Sequence, residues 1–177
     1  VGGKTSDDVQ VKGVMVTSDK PISVYISNSN IDSYDAAVIY PIKALYKEYV
    51  IQTYSTDQQA NEFALVSAKN DNNISINIQE TFYKLSGEVD KITHDTINVV
   101  LDQGESYLYR TDKGRVSLTG TTICSTEPLA VYQGGQLSKI SSTGSSSHIC
   151  TQSIPTDAWG RKYIVTQTKG NSKDVIR

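Results

Sequence analysis

The chain has 177 residues and carries 17 Lys and Arg against 19 Asp and Glu, which gives a formal net charge of −2. A chain of this length forms one domain or two small ones and buries a core without a metal or several disulfides. The balanced charge excludes the basic surface that attracts phosphates, so nucleic acid is not an expected partner, and no run approaches the roughly 18 apolar residues of a membrane span.

Short strand patterns follow one another along the chain, each rich in β-branched or aromatic residues and bounded by turn-forming residues. They are VKGVMVTS (11–18), ISVYIS (22–27), AAVIYPI (36–42), EYVIQTY (48–54), EFALVSA (62–68), ISINI (74–78), TINVVL (96–101), SYLYR (106–110), VSLTGTTIC (116–124), LAVYQGG (129–135) and KYIVTQT (162–168). Helical periodicity is nearly absent, and the best candidate, PIKALYKEY at 41–49, predicts at most one turn that begins near Pro41.

Two turn sequences predict where the chain reverses. KNDNN at 69–73 and DQGE at 102–105 each lie between strand patterns, and Asn, Asp and Gly accept left-handed backbone at little cost. We therefore predict an all-β fold of tandem antiparallel β-hairpin units, which pack either as propeller-like blades or as a β-sandwich.

Part of the sequence occurs twice. GVMVTSDKPISVY at 13–25 and GTTICSTEPLAVY at 120–132 share Gly, Ser, Pro, Val and Tyr at the same positions, 107 residues apart. A second block follows in each case, PIKALYKEYVIQTY from Pro41 and PTDAWGRKYIVTQT from Pro155, and the extra length between the blocks falls in the Ser-rich stretch SKISSTGSSSH.

This pattern predicts one β repeat unit with an N-terminal lead-in at 1–119 and a second, incomplete unit at 120–177. The chain is then one contiguous fragment of a larger β domain. Its terminal strands are expected to pair with remaining segments of the parent chain or with neighbouring subunits.

The two cysteines and one asparagine suggest covalent modifications of an extracellular protein. Cys124 and Cys150 make an even count that predicts a disulfide, although two free thiols of a cytosolic protein would show the same sequence. Asn73, in the pattern NIS, is a predicted glycosylation site beside the 69–73 turn. The N-terminus has no signal-peptide pattern, so a secretion signal is expected upstream of Val1.

We predict no catalytic, cofactor or metal site. His94 and His148 have no ligand partners at metal-site spacing, and the serines of STGSSSH lie in a polar loop that cannot hold a nucleophile against a base. The acidic turn residues Asp95, Asp102 and Glu105 are compatible with a glycosidase pair. The clusters SDDVQ and NDNN are compatible with calcium binding. In both cases the ordinary preference of acidic residues and Asn for turns is the simpler explanation. Tyr49, Trp159 and Tyr163 are expected to pack in the core or on a strand face rather than to stack on sugars.

Several pieces of the chain, in order, resemble the N-terminal domain of the IgGFc-binding protein family. They are GVMVTSDKPISVY, NEFALVSAKNDNNISI, INVVLDQGESYLYRTD, SLTGTTICSTEPLAVYQGG and SSHICTQSIPTDAWGRKYIV. The resemblance runs from Lys12 to Val165 and implies a secreted, non-catalytic protein of mucus, matrix or cell adhesion. The cysteines depart from the family pattern, so a disulfide would be a local variation, and no residue here matches a motif for immunoglobulin binding.

The expected function is thus that of an extracellular structural or adhesive module that contacts other proteins or glycans through loops such as 133–153. Two alternatives stay open. One is a secreted glycan-binding or glycan-cleaving domain, and the other is a strand-exchanging subunit of an extracellular filament.

Overall fold

The computed structural model describes residues 9–30, 33–54, 59–112, 114–138 and 146–166. These residues form an all-β structure in which every paired strand is antiparallel, so the predicted fold class is confirmed. The strands are β1 Gln10–Val11, β2 Val24–Asn30, β3 Ser33–Ile39, β4 Glu48–Val50, β5 Asn61–Ser67, β6 Asn72–Tyr83, β7 Val89–Leu101, β8 Glu105–Arg110, β9 Val116–Ser117, β10 Thr122–Ser125, β11 Leu129–Ser138 and β12 Ser147–Gln152.

The strands form two large sheets and one separate hairpin. The first sheet has the order β1-β8-β5-β11-β12, and the second has the order β4-β10-β6-β7, with β9 also paired to β6. Strands β2 and β3 pair only with each other within the described residues. The chain reverses at both predicted turns, where Asp71 and Gly104 have φ angles of 55° and 83°. Each turn connects the two large sheets, however, so β5–β6 and β7–β8 are not paired hairpins.

The two large sheets enclose one core. Every second residue of β5 and of the first half of β6 is buried, because successive side chains of a strand point to opposite faces. Phe63 of β5 and Tyr109 of β8 stack with their ring centroids 5.2 Å apart. The core combines residues of both sheets: Tyr49, Ile51, Phe63, Leu65, Ile74, Ile76, Ile78, Leu101, Tyr107, Tyr109, Leu118, Ile123, Leu129 and Val131. Of the two predicted packings, the structure therefore shows the β-sandwich.

The same element order occurs twice in the chain. The β2–β3 hairpin is followed by a 3-10 turn at Ile42–Ala44, and the β11–β12 hairpin is followed by a 3-10 turn at Thr156–Ala158. Both turns begin after a proline, Pro41 with φ −65° and ψ 152° and Pro155 with φ −63° and ψ 152°. Pro41 and Pro155 are also the first residues of the two similar sequence blocks.

Strands from the C-terminal part of the chain complete both sheets. Strand β10 lies between β4 and β6 in the second sheet, and β11 lies between β5 and β12 in the first. Ile123 of β10 is paired with Tyr49 on one side and with Ile76 on the other. The sandwich thus contains residues from both sides of position 120, where the second unit is predicted to begin.

Two of the predicted strands are wrong. Residues 12–18 and 162–166 have strand-like sequences but form no strand, and only the short β1 pairs near the first of them. A strand needs a partner edge for its backbone N–H and C=O groups. The N–H of Gly13 donates to the carbonyl of Gly104 at 2.9 Å, but within the described residues neither segment has a continuous partner edge. Residues 167 and 168 of the second prediction, and most of the predicted 138–148 loop, lie outside the described residues.

Candidate interaction surface

The β2–β3 hairpin presents an apolar face to solvent. Tyr25 pairs with Val38 and Ser29 pairs with Tyr34, so these side chains lie on one side of the hairpin. Tyr25, Tyr34 and Val38 are 69%, 71% and 50% exposed, and we call these three residues the hairpin outer face. Tyrosine is enriched in protein-protein contacts because one ring buries apolar area and also carries a hydrogen-bonding hydroxyl.

The other face of the hairpin is attached to β12, the last strand of the first sheet. The hydroxyl of Ser33 accepts a hydrogen bond from the backbone N–H of His148 at 2.8 Å, and the carboxylate of Asp35 accepts one from the N–H of Cys150. The backbone N–H of Tyr40 donates to Oε1 of Gln152 at 2.6 Å. Side chains of β3 therefore satisfy backbone donors of β12, and the hairpin covers a sheet edge that would otherwise be open.

His148 takes part in this attachment. Its Nδ1 lies 2.5 Å from Oγ of Ser33, and Oγ of Ser33 is also 2.9 Å from Oγ of Ser147. The contact joins two strands that are 115 residues apart, and no group of three metal-ligating side chains occurs within the described residues. His94 lies elsewhere, exposed on β7 opposite Gln79.

The acidic residues weighed as a glycosidase pair lie in turns and on one strand. The backbone N–H of Asp102 donates to a carboxylate oxygen of Glu105 at 2.8 Å, within the turn between β7 and β8. Asp102 also accepts from the N–H of Asp71 at 2.9 Å, which ties this turn to the β5–β6 turn. Asp95 is exposed on β7 and accepts from the N–H of Thr96 at 2.8 Å. These contacts give Asp102 and Glu105 a structural role in joining two turns.

The two cysteines lie on different sheets, and both are free thiols. Cys124 follows the buried Ile123 on β10 and is exposed, so its side chain points away from the sandwich interior. Cys150 on β12 is half-buried, and burial raises the pKa of its thiol, with the carboxylates of Asp35 and Glu62 adding to that effect. The structure does not show the predicted disulfide.

Asn73 is exposed at the start of β6, directly after the β5–β6 turn. Its Nδ2 donates to the backbone carbonyl of Asp71 at 3.0 Å, and its own N–H donates to Oγ1 of Thr126 at 2.9 Å. The side chain thus lies at the surface, where an attached glycan would extend into water.

The three aromatic residues expected to pack do not behave alike. Tyr49 is buried in the core, but Trp159 and Tyr163 are exposed. The indole N–H of Trp159 donates to the carbonyl of Ile154 at 3.2 Å, and the hydroxyl of Tyr163 accepts from the N–H of Gly160 at 2.7 Å. The packing prediction is therefore right for Tyr49 and wrong for the other two residues.

A small cleft lies beside β11 and β12. The described part of the segment 133–153, which was expected to be a contact loop, lies mostly in these two strands. The cleft has a volume of about 140 Å³, and its lining includes Gln52, Gln133 and Thr151. Sites for small molecules usually measure about 300 to 1,000 Å³. No carboxylate of the described residues lines this cleft, and the described residues of the 133–153 segment contribute much of its wall.

Sequence reasoning missed the attachment of β3 to β12. Ser33 and Asp35 lie two positions apart and so share one face of β3, which is the only local signal that the sequence offers. Their partners are more than 110 residues away, so no pattern within a single segment identifies them.

The sandwich, its exposed hairpin and its surface sequon define the class of the protein, an antiparallel β module. Within this class, the family described as IgGFc binding protein matches residues 35–177, and the chain belongs to that family. The human IgGFc-binding protein is 27% identical to it over 168 residues, which make up 90% of this chain and 3% of the human protein. The chain therefore spans a small part of the length of that relative.

No solved structure matches the chain. Among the described residues, the structure contains no helix with the length and apolar character needed to cross a bilayer.

Proposed function

We propose that the chain is a non-catalytic extracellular module that acts through contacts with other proteins. The observation that carries this proposal is the hairpin outer face, where Tyr25, Tyr34 and Val38 lie together in solvent. These three side chains share one face of the hairpin, and exposed apolar side chains grouped on one face mark a candidate contact surface. Membership of the IgGFc-binding protein family supports a protein as the partner.

The extracellular assignment is supported by the family and by the exposed position of Asn73. The test is expression of the chain behind a secretion signal in animal cells, followed by treatment with peptide N-glycosidase. We expect the secreted chain to lose the mass of one glycan, and we expect Asn73→Gln to abolish that loss. Retention of the chain in the cell, or secretion without a glycan, would count against the assignment.

The partner is tested with a defined probe. The name of the human relative states that it binds IgG Fc, so purified human Fc is the first probe, measured by biolayer interferometry on the immobilised chain. We expect binding that Tyr25→Ala and Tyr34→Ala each weaken by about tenfold or more, because central tyrosines dominate many interfaces. Leu85→Ala, which removes an exposed apolar side chain from the β6–β7 turn, should leave binding unchanged.

Two results would redirect the proposal. If the folded chain does not bind Fc, Fc is excluded as the partner. The same variants are then used to screen other secreted proteins and a glycan array. If binding survives both tyrosine substitutions, the contact surface lies outside the hairpin outer face.

A further inference from the structure

Two segments of the chain expose apolar residues that have buried counterparts elsewhere in the same molecule. Val16 is 57% exposed, whereas Ile123, its counterpart 107 positions later, is fully buried. Tyr163 is 71% exposed, whereas Tyr49, its counterpart 114 positions earlier, is only 1% exposed. The same contrast holds for three further pairs, each exposed residue first: Ile22 and Leu129, Trp159 and Leu45, Val165 and Ile51.

The buried counterparts contact each other. In the second sheet Ile123 pairs directly with Tyr49, and the hydroxyl of Tyr49 donates to the carbonyl of Leu129 at 2.6 Å. The segment around Val16 thus corresponds to β10, the inserted strand. The segment around Tyr163 corresponds to β4, the strand with which β10 pairs. In this chain the two segments are present but are not paired with each other.

The receiving segment already has the local geometry of its buried counterpart. The hydroxyl of Tyr163 accepts from the N–H of Gly160, three residues earlier, at 2.7 Å. In the core, the hydroxyl of Tyr49 accepts from the N–H of Tyr46, also three residues earlier, at 3.2 Å. Because the proline-initiated turns before both tyrosines also agree in backbone angles, docking requires little local reordering.

We infer that a second copy of this chain docks head to tail, with residues 162–164 of one copy pairing antiparallel with residues 15–17 of the other. The pairing of β10 with β4 sets the register. Val16 then lies opposite Tyr163, as Ile123 lies opposite Tyr49, and the hydroxyl of Tyr163 donates to the carbonyl of Ile22. The exposed apolar residues of both segments become buried in one interface.

The hairpin outer face fits the same arrangement. Tyr34 and Val38 correspond, 114 positions on, to His148 and Gln152, which β3 partly covers in this chain. A second copy placed by the β10–β4 register brings its own β11–β12 hairpin toward Tyr34 and Val38. Since the two contacting surfaces differ, the contact is heterologous and continues from one copy to the next. This inference goes beyond the proposed function, because it needs no other partner.

A disulfide between copies tests the register. Cys124 pairs with Glu48 between two hydrogen-bonded positions, where Cα atoms are about 4.5 Å apart and a disulfide fits. Their counterparts are Thr17 and Lys162, both exposed. In a Cys124→Ser and Cys150→Ser background, the single variants Thr17→Cys and Lys162→Cys are mixed under mild oxidation. The cross-linked species are identified by mass spectrometry.

We expect the yield of the mixed dimer, relative to the two homodimers, to exceed the statistical ratio severalfold. The matched control replaces Lys162→Cys with Ile164→Cys, which lies on the same face but two residues out of register, at a diagonal distance of about 7 to 8 Å. Equal yields for the two pairs, or no mixed dimer above the statistical share, overturn the inference.

A second variant separates docking from folding. Val16→Asp places a charge in the proposed interface but leaves the isolated chain intact, because Val16 is mostly exposed there. We expect the mixed dimer to fall to its statistical share while the thermal unfolding midpoint stays the same. An undiminished yield overturns the register. Binding of Fc by the same variant is measured in parallel, so failure of this inference and failure of the proposed function give different results.

Discussion

The hydroxyl of Tyr49 donates a hydrogen bond to the backbone carbonyl of Leu129, 2.6 Å away, across a separation of 80 residues. The same hydroxyl accepts from the N–H of Tyr46, so one buried oxygen satisfies a donor and an acceptor. Burial raises the pKa of Tyr49 above its ordinary value. This hydroxyl therefore stays protonated and joins the two sequence units inside one core.

Removal of that hydroxyl should destabilise the fold. Tyr49→Phe leaves the carbonyl of Leu129 and the N–H of Tyr46 without this partner, which costs about 1 to 3 kcal/mol in the free energy of unfolding. Tyr163→Phe removes the corresponding hydroxyl at an exposed position and should change stability by less than about 0.5 kcal/mol. Urea denaturation at a chain concentration too low for association measures both. Equal effects would contradict the role of the Tyr49 bond.

Asn72 is a second buried link between distant segments. Its Oδ1 accepts from the N–H of Glu127 at 3.0 Å, and its Nδ2 donates to Oγ of Ser67 at 3.1 Å. Asn72→Ala should cost about 2 to 3 kcal/mol, because buried groups lose their partners. Asn77→Ala, at an exposed position of the same strand, should stay within about 0.5 kcal/mol. Chemical denaturation tests the difference, and a small loss for Asn72→Ala would be the unexpected result.

At Gly134 the backbones of β11 and β12 leave no room for a side chain. A Cβ atom at this position would overlap the backbone carbonyl of Ile149, so Gly134→Ala must push the two strands apart. We expect a loss of about 2 to 4 kcal/mol. Gly87→Ala is the control, since its φ of +85° carries a strain of about 1 to 2 kcal/mol but a Cβ there meets no atom within 4 Å. A thermal melt that ranks Gly87→Ala as the worse variant would refute this assignment.

Glu62 should make stability depend on pH. Burial raises the pKa of its carboxyl in the folded state, and the opposing effect of Arg110 is smaller. Folding then favours the protonated form, so this contribution is present below the unfolded pKa of about 4.3 and is lost as pH rises through the higher folded value.

We therefore expect Glu62→Gln to be more stable than the parent chain at pH 7 and to lose part of the decline between acid and neutral pH. Glu88→Gln removes one negative charge from an exposed turn and controls for net charge. Unfolding midpoints measured from pH 4 to 8 test this, and parallel curves for Glu62→Gln and the parent chain would exclude the effect.

The two thiols should react at different rates. Cys124 is exposed, whereas Cys150 is half-buried and its thiol pKa is raised, so less of the reactive thiolate is present. A chromogenic disulfide reagent should titrate one thiol quickly in the native chain and two in guanidinium chloride. Cys124→Ser should remove the fast phase. If no thiol reacts even in guanidinium chloride, the cysteines are bonded to each other.

Local sequence was sufficient for two chain reversals and for the fold class, but not for which strands pair across them. The Asn- and Asp-rich turn before Asn73 and the glycine turn at Gly104 reverse the chain as predicted, because both depend on backbone conformations that a few residues determine. The brevity of the turn after Pro41 was also predictable, since helical periodicity ends within a few residues.

Long-range pairing was not predictable from any one segment. The insertion of β10 between β4 and β6 requires partners more than 40 residues away in sequence, and a strand pattern does not say whether a partner exists. The segment around Val16 shows this, because it is as rich in strand-forming residues as β10 and yet forms no strand. The disulfide between Cys124 and Cys150 was predicted only from the even number of cysteines. That number carries no information about which sheet holds each residue.

Because β10 and β11 close the interior formed by β4, β5 and β6, the unit boundary predicted at position 120 does not coincide with a boundary of the folded body. A gene fragment trimmed at position 119 would encode a body with its apolar interior uncovered, whereas one that continues through residue 138 carries its own cover. When related proteins are divided into fragments, the boundary should therefore fall after the strand that corresponds to β11 and not at the start of the repeated sequence.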